Sequence, residues 1–321
     1  MTAVVEADRS ELLLSVAQAY YERGRTQEEI GRDLHLTRWK VGRLLEEART
    51  EGIVQIRVVH PQARKSDLEQ ELRARFGLGT CVVVPTPDDA EDGHAHVAVA
   101  AAGWLRSHGD RLRTLGVSWG NTMEGVAAVL PLGWTQGIEV IQVNGGISRS
   151  VRPTTAANVA QSIAHSGDGR ATLLPVPAIV EHLGTRDALY GENFVREVLE
   201  SARDADALLF SLGALGPRSV LVQSGAVSAD ELLRLRGAGA VGDVLGHYVT
   251  TDGAIADDDV ESRTVGLTLD DLRAHPQSVA VAAGAAKSRI INAALASGLC
   301  SVLITDEAAA RAVLEHRHDR T

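Results

Sequence analysis

The chain has 321 residues, 45% of them hydrophobic but only 3% aromatic, and a formal charge of −10. That length exceeds one small binding module and predicts two domains, with Ala, Val and Leu filling a sizeable core. No apolar run approaches a membrane span, Met1–Glu11 lacks a signal-peptide core, and Cys81 and Cys300 have no zinc-type spacing. These features argue for a reducing cytoplasm and against membrane association, export or a disulfide scaffold.

Taken in chain order, Glu11–Arg23 offers Leu12, Val16, Ala17 and Tyr20 at helical spacing, the pattern of a support helix. Thr26 then caps a short helix, with Glu29 reaching back as in a capping box. Ile30 and Leu34 fall four apart on one face, and this helix stops near His35. Thr37 caps a second helix in which Val41, Leu44, Leu45 and Ala48 form the buried stripe and Arg38, Trp39, Lys40 and Arg43 occupy the exposed first turns. An alternating strand running to Val58 closes the pattern. Over residues 1–58 this reads as a helix-turn-helix domain, whose second helix enters the major groove of double-stranded DNA. The candidate DNA contacts are Thr26, Gln27, Thr37, Arg38, Trp39, Lys40 and Arg43. Trp39 has two readings, packing on the preceding helix or touching a base or sugar. Residues 1–75 hold thirteen Lys and Arg against thirteen Asp and Glu, so the acidic excess lies downstream. Phosphate contacts dominate DNA affinity, so three cations without a carboxylate between Thr37 and Leu45 matter more than the sign of the whole chain.

Past the helix breaker His60-Pro61-Gln62, the stretch Arg64–Phe76 repeats Leu68, Leu72 and Phe76 every four residues. It predicts a linker helix whose stripe meets either the following domain or a partner subunit. From there strand-like runs (Cys81–Val84, Thr114–Ser118, Glu139–Val143, Ala207–Leu212, Val279–Ala283, Ser301–Thr305) alternate with helical ones (Met123–Leu130, Thr155–His165, Ala229–Arg236, Ala285–Leu295, Glu307–Leu314). Such alternation predicts a doubly wound, mostly parallel α/β domain over 59–321. Asp88–Asp92 and Asp257–Glu261 read as solvated acidic loops rather than metal sites.

Four of the strands run into glycine: Leu115-Gly-Val-Ser-Trp-Gly-Asn-Thr, Val140-Ile-Gln-Val-Asn-Gly-Gly, Leu209-Phe-Ser-Leu-Gly and Val281-Ala-Ala-Gly-Ala-Ala-Lys. Ligands of open α/β sheets collect at these carboxyl ends, where bare backbone and helix N-termini receive anionic oxygens. The turns therefore predict a polar pocket from Gly120, Asn121, Thr122, Asn144, Gly145, Gly146, Gly213, Gly284 and Lys287, with Lys287 three residues after Gly284, where a cation and a helix dipole can hold one phosphate. Neither a GxGxxG nor a P-loop is present, which disfavours a nucleotide, and no cofactor or metal is expected.

Thr26–Val58, Leu115–Thr122, Val140–Gly146, Gly239–Leu245 and Val279–Glu307 together resemble the SorC family of bacterial sugar-binding transcriptional regulators, over nearly the whole chain. The resemblance implies a sugar-phosphate-isomerase-like domain binding a sugar, polyol or sugar phosphate, in a homo-oligomer, dimer or tetramer. It assigns Gly120, Asn121 and Thr122 to a phosphate turn, Lys287 to a later phosphate contact and Asp243 to sugar hydroxyls. Two positions depart from the family: Asn144 stands where some relatives carry a Schiff-base lysine, and Ala283 where a glycine is common. The expected function is a regulator that binds operator DNA and is switched by its effector through a change in subunit arrangement. The alternative is a sugar-phosphate isomerase or deaminase, for which Asp243, His247 and Asp252 are acid–base candidates by type.

Overall fold

A computed structural model of the chain describes residues 2–21, 23–50, 53–54, 64–86, 93–147 and 156–316. They divide into two compact units, Met1–Val59 and His60–Thr321. The strand expected to reach Val58 and the acidic loop Asp88–Asp92 lie outside the described residues.

The first unit consists of α1 (Thr2–Tyr21), α2 (Gln27–Asp33) and α3 (Arg38–Thr50). Thr26 and Glu29 form the expected capping box on α2, and Thr37 Oγ1 accepts the Lys40 amide at 3.2 Å on α3. Leu13, Val16, Ala17, Ile30, Val41, Leu44, Leu45 and Ala48 make its core. Two details differ from expectation. Leu13, rather than Leu12, is the fully buried residue of that turn of α1. Leu34 is exposed because α2 ends before it: His35 turns left-handed at φ 54, the Leu36 amide bonds Gly31 O at 2.8 Å, and Leu36 packs on the core instead.

The second unit runs through α4 (Ser66–Phe76), β1 (Thr80–Val84), α5 (Gly93–His108), β2 (Thr114–Val117), α6 (Asn121–Val129), β3 (Glu139–Gln142), α7 (Ala156–Ser166) and β4 (Arg170–Thr172). It continues through α8 (Leu183–Gly191), α9 (Asn193–Arg203), β5 (Ala207–Ala214), α10 (Val220–Gln223), α11 (Ala229–Gly237), β6 (Gly242–Val244) and β7 (His247–Val249). It ends with α12 (Asp258–Arg263), α13 (Leu269–Ala274), β8 (Ser278–Ala282), α14 (Ser288–Ala296), β9 (Val302–Asp306) and α15 (Glu307–Glu315). Strand order is β1-β9-β8-β5-β2-β3-β4, and every pair along it is parallel. Because strand side chains alternate, Cys81, Val83, Ile141, Leu208, Phe210, Ala280 and Leu303 bury against α4, α9, α14 and α15. Leu115, Val117, Val140, Leu209, Val281 and Ile304 bury against α5, α6 and α7. The fold is thus a doubly covered, mostly parallel sheet.

From β2 the chain moves outward to β3 and β4, then returns to the other side of β2 and moves the opposite way through β5, β8 and β9. The β2/β5 junction is therefore the point where strand order reverses, the place where such sheets open a crevice. Beyond it the end of β5 pairs with an antiparallel hairpin, β6–β7. A separate apolar cluster with Ile179, Leu221, Leu235 and Tyr248 supports that region.

Three sequence readings are settled here. The α4 stripe is spent inside the unit, with Leu72 in its core and Leu68 and Phe76 packed against it. Asp257–Glu261 is not a loop: Asp257 caps α12 by accepting the Val260 amide at 3.0 Å. The helix expected from Ala285 begins at Ser288, after a 3-10 turn over Ala285–Lys287. Among the described residues no helix is long and apolar enough to cross a membrane.

Candidate DNA-facing surface and effector cavity

On the first unit, Thr37, Arg38, Trp39, Lys40 and Arg43 are all exposed. Trp39 stands 78% exposed, which removes its packing alternative. Together with Gln27, half-buried at the start of α2, most of them line a groove of about 620 Å³. Arg38, Lys40 and Arg43 make no ion pair among the described residues, whereas Glu46, one turn on, holds Arg49 at 3.3 Å. Thr26 serves the fold, its hydroxyl and amide both bonding Glu29 at 2.9 Å.

On the second unit a cavity of about 430 Å³ opens at the β2/β5 junction, between the strand ends and the β6–β7 hairpin. Ser118 to Thr122 leave β2 along its floor. Gly120 is the N-cap of α6 at φ 116, a backbone geometry suited to glycine. The first amides of α6 have no intrahelical acceptor, so Asn121 and Thr122 bring free N–H groups and a positive dipole end to the cavity. Trp119 is braced by its indole N–H, which donates to Gly145 O at 2.7 Å. Ser211 joins the β5 turn to the β2 turn: its amide donates to Ser118 Oγ and its hydroxyl to Trp119 O, both at 3.2 Å.

Three further side chains meet in the same cavity. Asn144 is 1% exposed; its Nδ2 donates to Leu245 O at 3.4 Å, while its buried Oδ1 has no donor. Asp243, on β6, is buried, and among the described residues its one hydrogen bond is accepted from the Gly246 amide, at 3.2 Å. Burial pushes its carboxyl up to about 6, and the Gly246 N–H and the Lys287 and His247 charges oppose that rise. Gly213 makes room for it, since a Cβ there would sit 1.9 Å from Asp243 Oδ1. Lys287, half-buried at the end of the 3-10 turn, has no ion-pair partner among the described residues. Burial lowers its pKa, and Asp243 and Asp306 pull it back up. Asp306 itself is committed to the Gly284 and Ala309 amides, at 3.0 and 3.1 Å.

The predicted residues thus divide. Gly120, Asn121, Thr122, Asn144, Gly213, Asp243 and Lys287 line one cavity. Gly145, Gly146 and Gly284 do not, because the amides of the first two bond Val265 O and Val176 O and that of Gly284 bonds Asp306. Those glycines shape turns instead; a Cβ on Gly145 would meet Pro177 O at 2.2 Å. Sequence reasoning did not single out His94, Ser118, Ser211, Arg218 or Arg236, all of which line the cavity. Of the other acid–base candidates, His247 has both ring nitrogens engaged, with Glu261 at 2.7 Å and Leu267 O at 2.9 Å. Asp252 is exposed and held by Thr250. Among the described residues no cluster of three or more His, Cys, Asp or Glu is arranged to hold a metal.

Comparison with known proteins gives this geometry its context. The family described as "Putative sugar-binding domain" matches residues 60–315. The deoxyribonucleoside regulator of Bacillus subtilis is 30% identical over 312 residues, covering 97% of this chain and 99% of that one. The transcriptional regulator LsrR of Klebsiella pneumoniae is 31% identical over 308 residues, 95% and 93% of the two chains. The chain belongs to the SorC family of sugar-binding transcriptional regulators. The full-length sorbitol operon regulator SorC from Klebsiella pneumoniae shares the fold of this family member, with a TM-score of 0.73 at 22% identity over 95% of this chain and 98% of that one. The protein is therefore a transcriptional regulator carrying a sugar-binding domain, and the cavity lies within the matched residues.

Proposed function

We propose that this SorC-family regulator grips operator DNA with residues 1–58, through Gln27, Thr37, Arg38, Trp39, Lys40 and Arg43. Its effector is a phosphorylated sugar or polyol held by residues 59–321. The observation that carries the effector reading is the composition of the cavity: Lys287, which has no ion pair within 4 Å among the described residues, and the α6 N-terminus stand in one space with two buried acceptors, Asn144 Oδ1 and Asp243. An anionic group satisfies the first pair and hydroxyls satisfy the second, which is the chemistry of a sugar phosphate. Asn144 in place of a lysine excludes a Schiff base at that position, so the ligand is held without a covalent bond there.

Binding shifts the population of subunit arrangements and with it the spacing of paired recognition helices. One short recognition helix with three cations is a weak binder, so the working form is a cytoplasmic dimer or tetramer. The protein acts as a switch rather than an enzyme. An isomerase needs a proton acceptor and a donor beside the substrate; His247 is held at both nitrogens, and the titrating side chains on the cavity wall are Asp243, His94 and Lys287, so recovery of the ligand unconverted is what separates the switch from the enzyme.

The Bacillus relative is named for deoxyribonucleosides, which, with the anion-binding composition of the cavity, makes deoxyribose, ribose and their 5-phosphates the first ligands to try. Calorimetry with ribose, deoxyribose and their 5-phosphates, with operator affinity followed by fluorescence anisotropy, tests the reading. Binding of a phosphate that changes operator affinity and is recovered unconverted is the expected result. Tighter binding of the neutral sugar refutes the phosphate assignment, and conversion of the ligand refutes the switch.

A further inference from the structure

We propose that Arg236 and Arg289 form a second anion subsite at the outer end of the cavity, so that the effector is a sugar carrying an anionic group at each end. The proposal rests on the reading of the cavity as a sugar-phosphate site and extends it. A concavity of about 370 Å³ continues from the cavity, sharing Ala214, Leu215, Arg236 and Ala286 with it and adding Arg289. Counting both spaces, four cations line them, Arg218, Arg236, Lys287 and Arg289, against one carboxylate, Asp243. This concentration occurs in a unit that is acidic as a whole, with 23 Lys and Arg against 32 Asp and Glu in residues 60–321.

The neighbours of these arginines are paired, and they are not. Arg234, two residues before Arg236 on α11, holds Asp259 at 3.2 Å. Arg263 is held by Glu231 and Asp259, and Arg273 by Asp270. No ion pair within 4 Å is formed by Arg218, Arg236 or Arg289 among the described residues. Asp243 cannot serve them, because it is buried and one of its oxygens is turned to the Gly246 amide. A single phosphate does not engage the whole set either. Lys287 ends the 3-10 turn before α14 and Arg289 lies in the first turn of that helix, and the inner cavity is lined by Lys287 without Arg289, the outer concavity by Arg289 without Lys287. One anion at Lys287 leaves Arg236 and Arg289 facing a second, and the guanidinium fork suits a phosphate or carboxylate.

The test uses the full chain and two spacings of charge: ribose 5-phosphate against ribose 1,5-bisphosphate, and sorbitol 6-phosphate against sorbitol 1,6-bisphosphate. Each is titrated by calorimetry into the wild type and Arg236→Gln/Arg289→Gln, with light scattering on both proteins. The expected result is a bisphosphate that binds the wild type about fivefold or more tightly than its monophosphate, the range for two solvent-exposed charge pairs. The variant loses that gain, with a smaller change toward the monophosphate. Equal affinity for mono- and bisphosphates overturns the second subsite alone. So does an equal loss for both in the variant, which is the mark of a general field, or a change of oligomeric state, which assigns the arginines to a partner's carboxylates. Failure of every phosphate to bind overturns the sugar-phosphate reading, and the subsite with it.

Discussion

The two units carry the charges proposed for function in opposite ways. In the first, Arg38, Lys40 and Arg43 stand in solvent, while the core of Leu13, Val16, Val41, Leu44 and Leu45 lies on the other face of the helices. In the second, Asp243 and Asn144 are buried within the fold and Lys287 is half-buried beside them. A DNA backbone is an extended surface that meets exposed cations by releasing counterions. A small ligand is recognised only where water has been excluded and each polar group has a fixed aim. Function and stability are therefore separable in the first unit and in conflict in the second, where burial raises the Asp243 carboxyl to about 6 and lowers the Lys287 ammonium.

The largest expected effect breaks the first half of this contrast. Arg38→Ala/Lys40→Ala/Arg43→Ala should lower operator affinity roughly a hundredfold and flatten its salt dependence by about one per lost phosphate contact. Its thermal stability should stay near that of the wild type, because none of the three is buried. A fall in melting temperature without a fall in operator affinity would contradict the separation.

Asp243 probes the conflict in the second unit. Its folded pKa of about 6 lies above the ordinary 3.8, so the native state holds the proton more tightly than the unfolded chain. Below about pH 3 both states are protonated and there is no cost. As pH rises to 6 and beyond, the unfolded chain ionises first and stability falls, by about 3 kcal/mol at neutral pH on the scale of 1.36 kcal/mol per unit. Asp243→Asn should remove that penalty, so its stability advantage, measured by urea unfolding in the absence of sugar, should be near zero at about pH 3 and largest at about pH 7. The same variant should lose effector response, linking the destabilising group to the ligand.

Lys287→Ala should cost about 1.5–3 kcal/mol of phosphate affinity, tenfold or more, if a charge-assisted bond is lost. Operator binding without ligand should persist. An unchanged calorimetric affinity for a sugar phosphate would remove Lys287 from the site. Smallest is the cap: Thr26→Ala should destabilise the first unit by about 1 kcal/mol, seen as earlier local unfolding in hydrogen exchange, with little effect on ligand affinity.

Legibility followed the same division. The capping box at Thr26 and Glu29, the stripe Val41, Leu44, Leu45 and Ala48, and the exposure of Arg38, Lys40 and Arg43 are local periodicities, and the structure has them as read. The six strands named from the second unit also form, within a residue or two of their expected ends. Other elements went unread. The stripe Val195, Val198, Leu199 and Ala202 of α9 is visible in the sequence, but β6 and β7 are three residues each, too short to carry a period of two.

Residue pattern alone was enough for the helix-turn-helix, the parallel α/β class and the glycine turns, because capping, side-chain alternation and positive φ depend on neighbours a few residues away. Which turns share a cavity was decided by the strand order, which brings the ends of β2, β5 and β8 together and leaves Gly145, Gly146 and Gly284 outside the cavity wall, the amides of the first two on backbone carbonyls and that of Gly284 on the Asp306 carboxylate. The tertiary structure likewise set Asp243 against Gly213, two residues 30 positions apart that meet only because β5 runs on to pair with β6. It also left Arg236 and Arg289 open on one concavity. Such contacts join segments far apart in the chain, and no local spacing encodes them.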